Sequence, residues 1–119
     1  MDNKVLGKRG EDVAAEFLRA RGLELRARNF RTPVGELDIV AEEAGTLVFV
    51  EVKTRRKLTK GLPSHSVHYH KQQKIIQTAR WYLHQYNLED ASCRFDVVEV
   101  YALPNGEMRC HHIVDAFET

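Results

Sequence analysis

Asp38, Glu51 and Lys53 interrupt two of the most apolar stretches of the chain, GELDIVA and LVFVEVKT. A charge inside a sheet-forming segment is costly unless it is paired, so these three residues need a reason. Both stretches alternate with a period of two, and residues i and i+2 of a strand share a face. Glu51 and Lys53 therefore face alike. A tight turn at Ala44-Gly45 sets Asp38 opposite the Glu51 region on the neighbouring strand. Two close carboxylates repel, and a partly dry setting amplifies the repulsion. A divalent cation relieves it. Hard oxygen ligands suit Mg²⁺, which takes one or two protein carboxylates and fills its other positions with water and phosphate oxygens. Such an ion polarises a phosphoryl oxygen and acidifies a bound water, while a lysine beside it stabilises developing charge or orients the attacking water. The residue types fit phosphodiester hydrolysis. From the charges alone they fit equally well a structural ion pair between Lys53 and either acid.

The elements that must hold this trio follow from hydrophobic period and turn chemistry. Gly7 to Arg21 has helical period, with Val13, Ala14, Phe17 and Leu18 as its apolar stripe, Glu11 near the edge of that stripe, and Gly22 as the stop. Leu23 to Phe30 alternates as a first strand, and RTPVG turns the chain. Gly35 to Glu42 is a second strand, with Leu37, Ile39 and Ala41 on one face and Glu36, Asp38 and Val40 on the other. Leu47 to Thr54 is a third, with Leu47, Phe49, Glu51 and Lys53 opposite an all-valine face that marks a central, covered strand. Arg55 to about His70 reads as a long loop, a length usually tied to function or disorder. A helix from about His68 to Tyr86 directs Ile75, Ile76, Ala79, Leu83 and Tyr86 to the core, with Trp81 expected to pack. Ser92 to Tyr101 and Glu107 to Asp115 form a hairpin across Leu103-Pro104-Asn105-Gly106. The order α-β-β-β-α-β-β predicts an α/β fold with a mixed sheet of five strands flanked by helices. A length of 119 residues suits one domain spanning residues 1–119.

Composition excludes several classes. Apolar residues make up 43% of the chain, against disorder, and the formal charge is only +1, so the placement of charge matters more than its sum. MDNKVLGKRG has no apolar run after its basic residues, which argues against a secretory signal. No central run approaches a bilayer span. A cytoplasmic protein without a membrane partner is expected, with Cys93 and Cys110 as reduced, packed thiols. Cys93, Cys110 and His112 have the ligand types of a zinc site, but alternation turns His111 away from them.

The spacing Asp38, twelve residues, then Glu51-Val52-Lys53 resembles the PD-(D/E)xK motif of the restriction-endonuclease-like fold. GKRGEDVAAEFL (7–18), RNFRTPVGELDIVA (28–41), LVFVEVKTR (47–55) and CRFDVVEV (93–100) together resemble the bacterial YraN-type family, UPF0102, over nearly the whole chain. Archaeal Holliday-junction resolvases are similar in the order of a helix glutamate, a strand aspartate and an ExK strand. The resemblance implies the restriction-endonuclease-like three-layer core. It implies Asp38 and Glu51 as ligands of Mg²⁺ or Mn²⁺, the Val52 carbonyl as a further ligand, and Glu11 or Glu36 as additional candidates. It also implies Lys53 as the catalytic lysine, with Asp38, Glu51 and Glu11 as its catalytic partners. Leu37 stands where the motif's proline would be, and Gln73 and Gln77 do not form the QxxxY element of some exonuclease branches.

From Lys53 to Lys74 the chain holds no acid but carries Arg55, Arg56, Lys57, Lys60, Lys71 and Lys74, with His65, His68 and His70. This asymmetry begins where the acidic trio ends, so a polyanion could be gripped beside it. Tyr69 and Phe30 could stack on exposed bases. The expected function is a nucleic-acid-binding, metal-dependent endonuclease acting on DNA, branched or structured DNA included. The alternative is a non-catalytic nucleic-acid-binding adaptor of DNA-processing machinery. A homodimer is compatible with so small a domain on a long substrate.

Overall fold

The computed structural model describes residues 2–56 and 67–119. Lys57, Lys60, His65 and most of the long loop expected after Arg55 lie outside the described residues. Helix α1 spans Asn3–Ala20, followed by β1 (Glu24–Thr32), β2 (Gly35–Glu43), β3 (Thr46–Arg55), α2 (Tyr69–Gln85), β4 (Cys93–Ala102) and β5 (Met108–Phe117). Helix α1 begins a turn before its apolar stripe because the Asp2 carboxylate accepts from the Val5 N–H at 2.8 Å, satisfying a donor the first turn leaves unpaired. It stops at Gly22, whose φ of 94° lets the Leu23 N–H reach back to the Leu18 carbonyl at 3.1 Å.

The strands lie in the order β1-β2-β3-β4-β5. Only the β3–β4 pair is parallel, joined through α2. One face packs on α1, with Ala14, Ala15 and Leu18 against Ile39, Ala41, Val48, Val50, Val98 and Val100. The other packs on α2, with Ile75, Ile76, Ala79 and Tyr82 against Val40, Leu47, Phe49, Phe95 and Val97. This is the restriction-endonuclease-like three-layer α/β core. Helix α1 approaches β3 closely because residue 10 is glycine; a Cβ there would collide with the Thr54 side chain.

Three local expectations are corrected. Leu37 belongs to the α2 side, whereas Ile39 and Ala41 face α1. The alternation breaks at Asp38, where the β2–β3 ladder ends at the Ile39–Val50 pair. There the Val52 N–H donates to Asp38 Oδ2 at 2.8 Å. Across the sheet, Asn29 of β1 lies between the pairs Arg28–Ile39 and Phe30–Leu37 and adopts a φ of 53°. On α2, Tyr82 is buried and Tyr86 is largely exposed: Tyr82, at i+7 from Ile75, reaches both Phe49 and Phe30, whereas Tyr86 packs on Phe30 and Tyr82 and stays exposed. Trp81, expected to pack, is half-exposed on the opposite side of that helix.

Candidate active site

The break in β2 builds the site. Before Ile39 β2 is not paired with β3, and it sends the Asp38 carboxylate to the Val52 amide in place of a main-chain acceptor, so Asp38 sits beside Glu51. Glu51 follows Phe49 on the α2 face of β3 and is only 8% exposed. Its Oε2 has no hydrogen-bond partner. Lys71, in the first turn of α2, stands with Nζ 3.6 Å from that oxygen. Burial first, and the adjoining Asp38 carboxylate second, push the Glu51 carboxyl up to about 8, against the opposing charges of Lys71 and Lys53. Lys53 lies two residues further along the same face and is half-buried.

A second acidic group faces α1. Glu11 is brought over the sheet by the Gly10–Thr54 approach. The Asn29 amide, oriented with its NH₂ towards the carboxylates, donates to Glu11 Oε1 at 3.1 Å and to Glu36 Oε1 at 2.9 Å. The positive φ of Asn29 thus turns its side chain into the acids instead of into the core. The Glu11 carboxyl is raised by burial and then by Asp38, with Arg28 and Lys8 opposing and Glu36 adding to the rise. Asp38 therefore perturbs both Glu11 and Glu51 and is the junction of the two groups.

Asp38 and Glu51 can be set against Mg²⁺ or Mn²⁺, the ion that the motif resemblance implies. Among the described residues no three His, Cys, Asp or Glu side chains gather as a preformed cage. Mg²⁺ and Mn²⁺ do not need one, because one or two carboxylates suffice and water or phosphate completes the shell. A buried carboxylate oxygen without a hydrogen bond, next to a second carboxylate, is the feature such an ion satisfies. Asp38 and Glu51 fit.

Residues 10–100 match the family described as "Uncharacterised protein family UPF0102". The chain belongs to that family. It is 47% identical over 112 residues to a UPF0102 protein of Symbiobacterium thermophilum, covering 94% of this chain and 95% of that one. A UPF0102 protein of Clostridioides difficile is 42% identical over 117 residues, covering 98% of this chain and all (100%) of that one. A solved structure, "The structure of Pyrococcus Furiosus SfsA in complex with Ca2+", aligns with a TM-score of 0.44 and 17% identity over 99% of this chain and 66% of that one.

In this UPF0102 chain the basic residues have distinct settings. Arg55 Nε lies 3.7 Å from Glu99 Oε2, and Arg56 donates to Asn3 Oδ1 at 2.8 Å, tying the end of β3 to the start of α1. Lys74 is exposed on α2, one turn after Lys71. Tyr69 is 73% exposed at the start of that helix. Phe30 is not free to stack on a base, since it packs on Tyr82 and Tyr86. No described helix is long and apolar enough to cross a membrane.

Two buried acids lie outside the motif. Asp96 stands out in the sequence as an acid in an apolar strand suited to hold a basic residue or fix the register, whereas Glu99 is the one that sequence reasoning misses. Glu99 is 1% exposed, accepts from the Tyr101 hydroxyl at 3.1 Å and pairs in register with Lys53. Its signal in the sequence is an acid inside VVEVY, but only the parallel β3–β4 register shows that it stands beside the ExK strand. Asp96 is fully buried at the irregularity between the Phe95–Phe117 and Val97–Ile113 pairs. It accepts from Arg94 Nε at 3.1 Å, His112 Nε2 at 2.8 Å and the Asp115 N–H at 2.9 Å. His112 is thereby committed to Asp96, and Cys93 and Cys110 are free thiols.

Proposed function

We propose that this chain binds nucleic acid and hydrolyses phosphodiester bonds in DNA with Mg²⁺ or Mn²⁺, as a small endonuclease of the PD-(D/E)xK kind. The observation that carries the proposal is the orphaned, buried Glu51 Oε2 beside Asp38, on the face that Lys53 shares. Asp38, Glu51 and the Val52 carbonyl would hold the ion, with Glu11 or Glu36 as outer carboxylates. When bound, the ion supplies a Lewis acid for a phosphoryl oxygen and an acidified water. Lys53 directs its ammonium along the same face, where it orients the attacking water and holds charge developing on the phosphate. Asp38, tied to the Val52 amide, keeps its carboxylate fixed relative to β3. Arg55, Arg56, Lys57, Lys60, Lys71 and Lys74 supply the phosphate contacts that hold the strand.

The test is cleavage of end-labelled single-stranded, flapped and branched DNA, with RNA alongside, in Mg²⁺ or Mn²⁺. Products formed by the wild type and lost in Lys53→Ala and in Asp38→Ala/Glu51→Ala are the expected result. Salt-sensitive binding without cleavage of any substrate, indifferent to the carboxylates, would instead establish the non-catalytic adaptor.

A further inference from the structure

Lys71 occupies an unusual position for a phosphate-binding lysine. It lies four residues before Ile75, on the helix stripe that α2 buries against the sheet. Its side chain nevertheless remains 48% exposed, with the ammonium reaching down to the most buried carboxylate of the site. At 3.6 Å it stops short of Glu51 Oε2, and that oxygen makes no hydrogen bond. A committed N⁺–H···O⁻ bond closes to about 2.7–2.9 Å. The contact is therefore not a committed hydrogen bond, and it is made by a compact cation on a flexible stem. His68 places no side-chain cap on α2, and among the described residues its first turn contains no acid to hold the ammonium elsewhere.

We propose that Lys71 is a displaceable counter-ion. Its ammonium stands against the Asp38–Glu51 pair while that pair lacks a divalent ion, and it swings out to a nucleic-acid phosphate when Asp38 and Glu51 take one. The inference rests on the metal site of the preceding section and adds a coupling to it. In the free protein an incoming divalent ion must displace or tolerate a positive charge a few ångströms away. With nucleic acid present, Lys71 has a phosphate to receive it. Ion and nucleic acid then bind with positive coupling, and each must strengthen the other by the same factor. Simple phosphate-binding lysines such as Lys74, which is exposed and makes no contact with the carboxylates, contribute to nucleic-acid affinity without such coupling.

The experiment compares the full chain with Lys71→Met, which keeps the stem and removes the charge, with Lys71→Gln as a second neutral variant and Lys74→Met as the control. Mn²⁺ is titrated calorimetrically into each free protein. Fluorescence anisotropy with a labelled DNA oligonucleotide is then read with and without Mn²⁺, in a Lys53→Ala background so that the probe stays intact. The expected result is Mn²⁺ affinity raised roughly three- to thirty-fold by either neutral variant, the range set by removing one partly screened charge at this distance. It is unchanged in Lys74→Met. The Mn²⁺-dependent gain in DNA affinity should shrink in both Lys71 variants and persist in Lys74→Met. Wild-type Mn²⁺ binding as tight as, or tighter than, that of both Lys71 variants would overturn the inference while leaving the metal site intact. Mn²⁺ binding that is absent from the wild type, or survives Asp38→Ala/Glu51→Ala unchanged, would overturn the site and the inference together.

Discussion

Replacing Glu51 by Gln should alter the pH dependence of stability in a defined direction. The Glu51 carboxyl is held at about 8 in the folded chain against 4.5 for the ordinary group, first by burial and then by Asp38. Between those two values the folded state keeps a proton that the unfolded state releases, so stability falls as pH rises through the window and levels off above it. A single proton gives a slope approaching roughly 1.4 kcal/mol per pH unit, and the whole window is worth on the order of 3–5 kcal/mol. Gln has nearly the same shape and carries no titrating proton. Urea unfolding of wild type and Glu51→Gln, followed by circular dichroism at intervals from pH 5 to pH 9, isolates this contribution, because every other titrating group is common to both. The variant should gain stability relative to wild type as pH rises, by several kcal/mol across the range. In an Asp38→Asn background the gain should diminish, since the second cause of the shift is removed. Parallel stability curves for wild type and Glu51→Gln would refute the claim that Glu51 is buried beside a second carboxylate.

Gly10→Ala should lower stability by about 1–3 kcal/mol, as overpacking does, because its Cβ meets the Thr54 side chain; thermal unfolding measures this, and an unchanged midpoint would place α1 further from β3. Asp96→Ala should cost about 3–5 kcal/mol, the range for breaking a buried charge pair, because it leaves His112 and the Asp115 N–H without their acceptor and Arg94 with Glu43 alone; denaturant unfolding with a loss below 1 kcal/mol would contradict the pairing. If four of the basic side chains contact phosphates of duplex DNA, log K should fall with log salt at a slope near −3.6. Anisotropy titrations across salt concentrations would show a slope close to zero if the basic run faced away from the nucleic acid.

The element order and the mixed sheet are legible in the sequence because hydrophobic period is long and clean in each segment. Val48 and Val50 read as a covered face and are covered, and one helical connection between β3 and β4 demands their parallel pairing. The proximity of Asp38 to Glu51 is legible too, since a tight turn fixes which residues oppose each other. The sides on which residues 36–39 fall are not. Period-two reasoning assumes an unbroken ladder, and here a side-chain oxygen substitutes for a main-chain one at Val52 while Asn29 takes a left-handed conformation. Lys71 beside Glu51 is invisible for another reason. Nothing in the spacing of a helix fixes how it docks on a sheet, so Lys71 reads only as one more cation in a basic run. Glu99 shares that cause, because its neighbour Lys53 is set by the register of a parallel pair separated by a helix.

The failure of alternation and the formation of the site have one cause. Had β2 continued its register past Ile39, the antiparallel numbering 39–50 and 40–49 would extend to 37–52, and the Val52 N–H would be satisfied by main chain. Asp38 would then have no fixed partner, and the edge of β3 carrying Glu51 and Lys53 would be sealed by a neighbouring strand. Because β2 parts from β3 there, the Asp38 carboxylate is clamped by the Val52 amide at 2.8 Å. The same departure leaves Glu51 Oε2 without a hydrogen bond, facing a single lysine from α2. A short irregularity of this kind costs main-chain hydrogen bonding that a purely structural sheet would retain. The uncompensated oxygen is the feature on which the proposed cation site rests. An Asp38→Asn chain that keeps its fold and the Val52 contact but loses Mn²⁺ binding would separate the two roles of this residue, the clamp from the ligand.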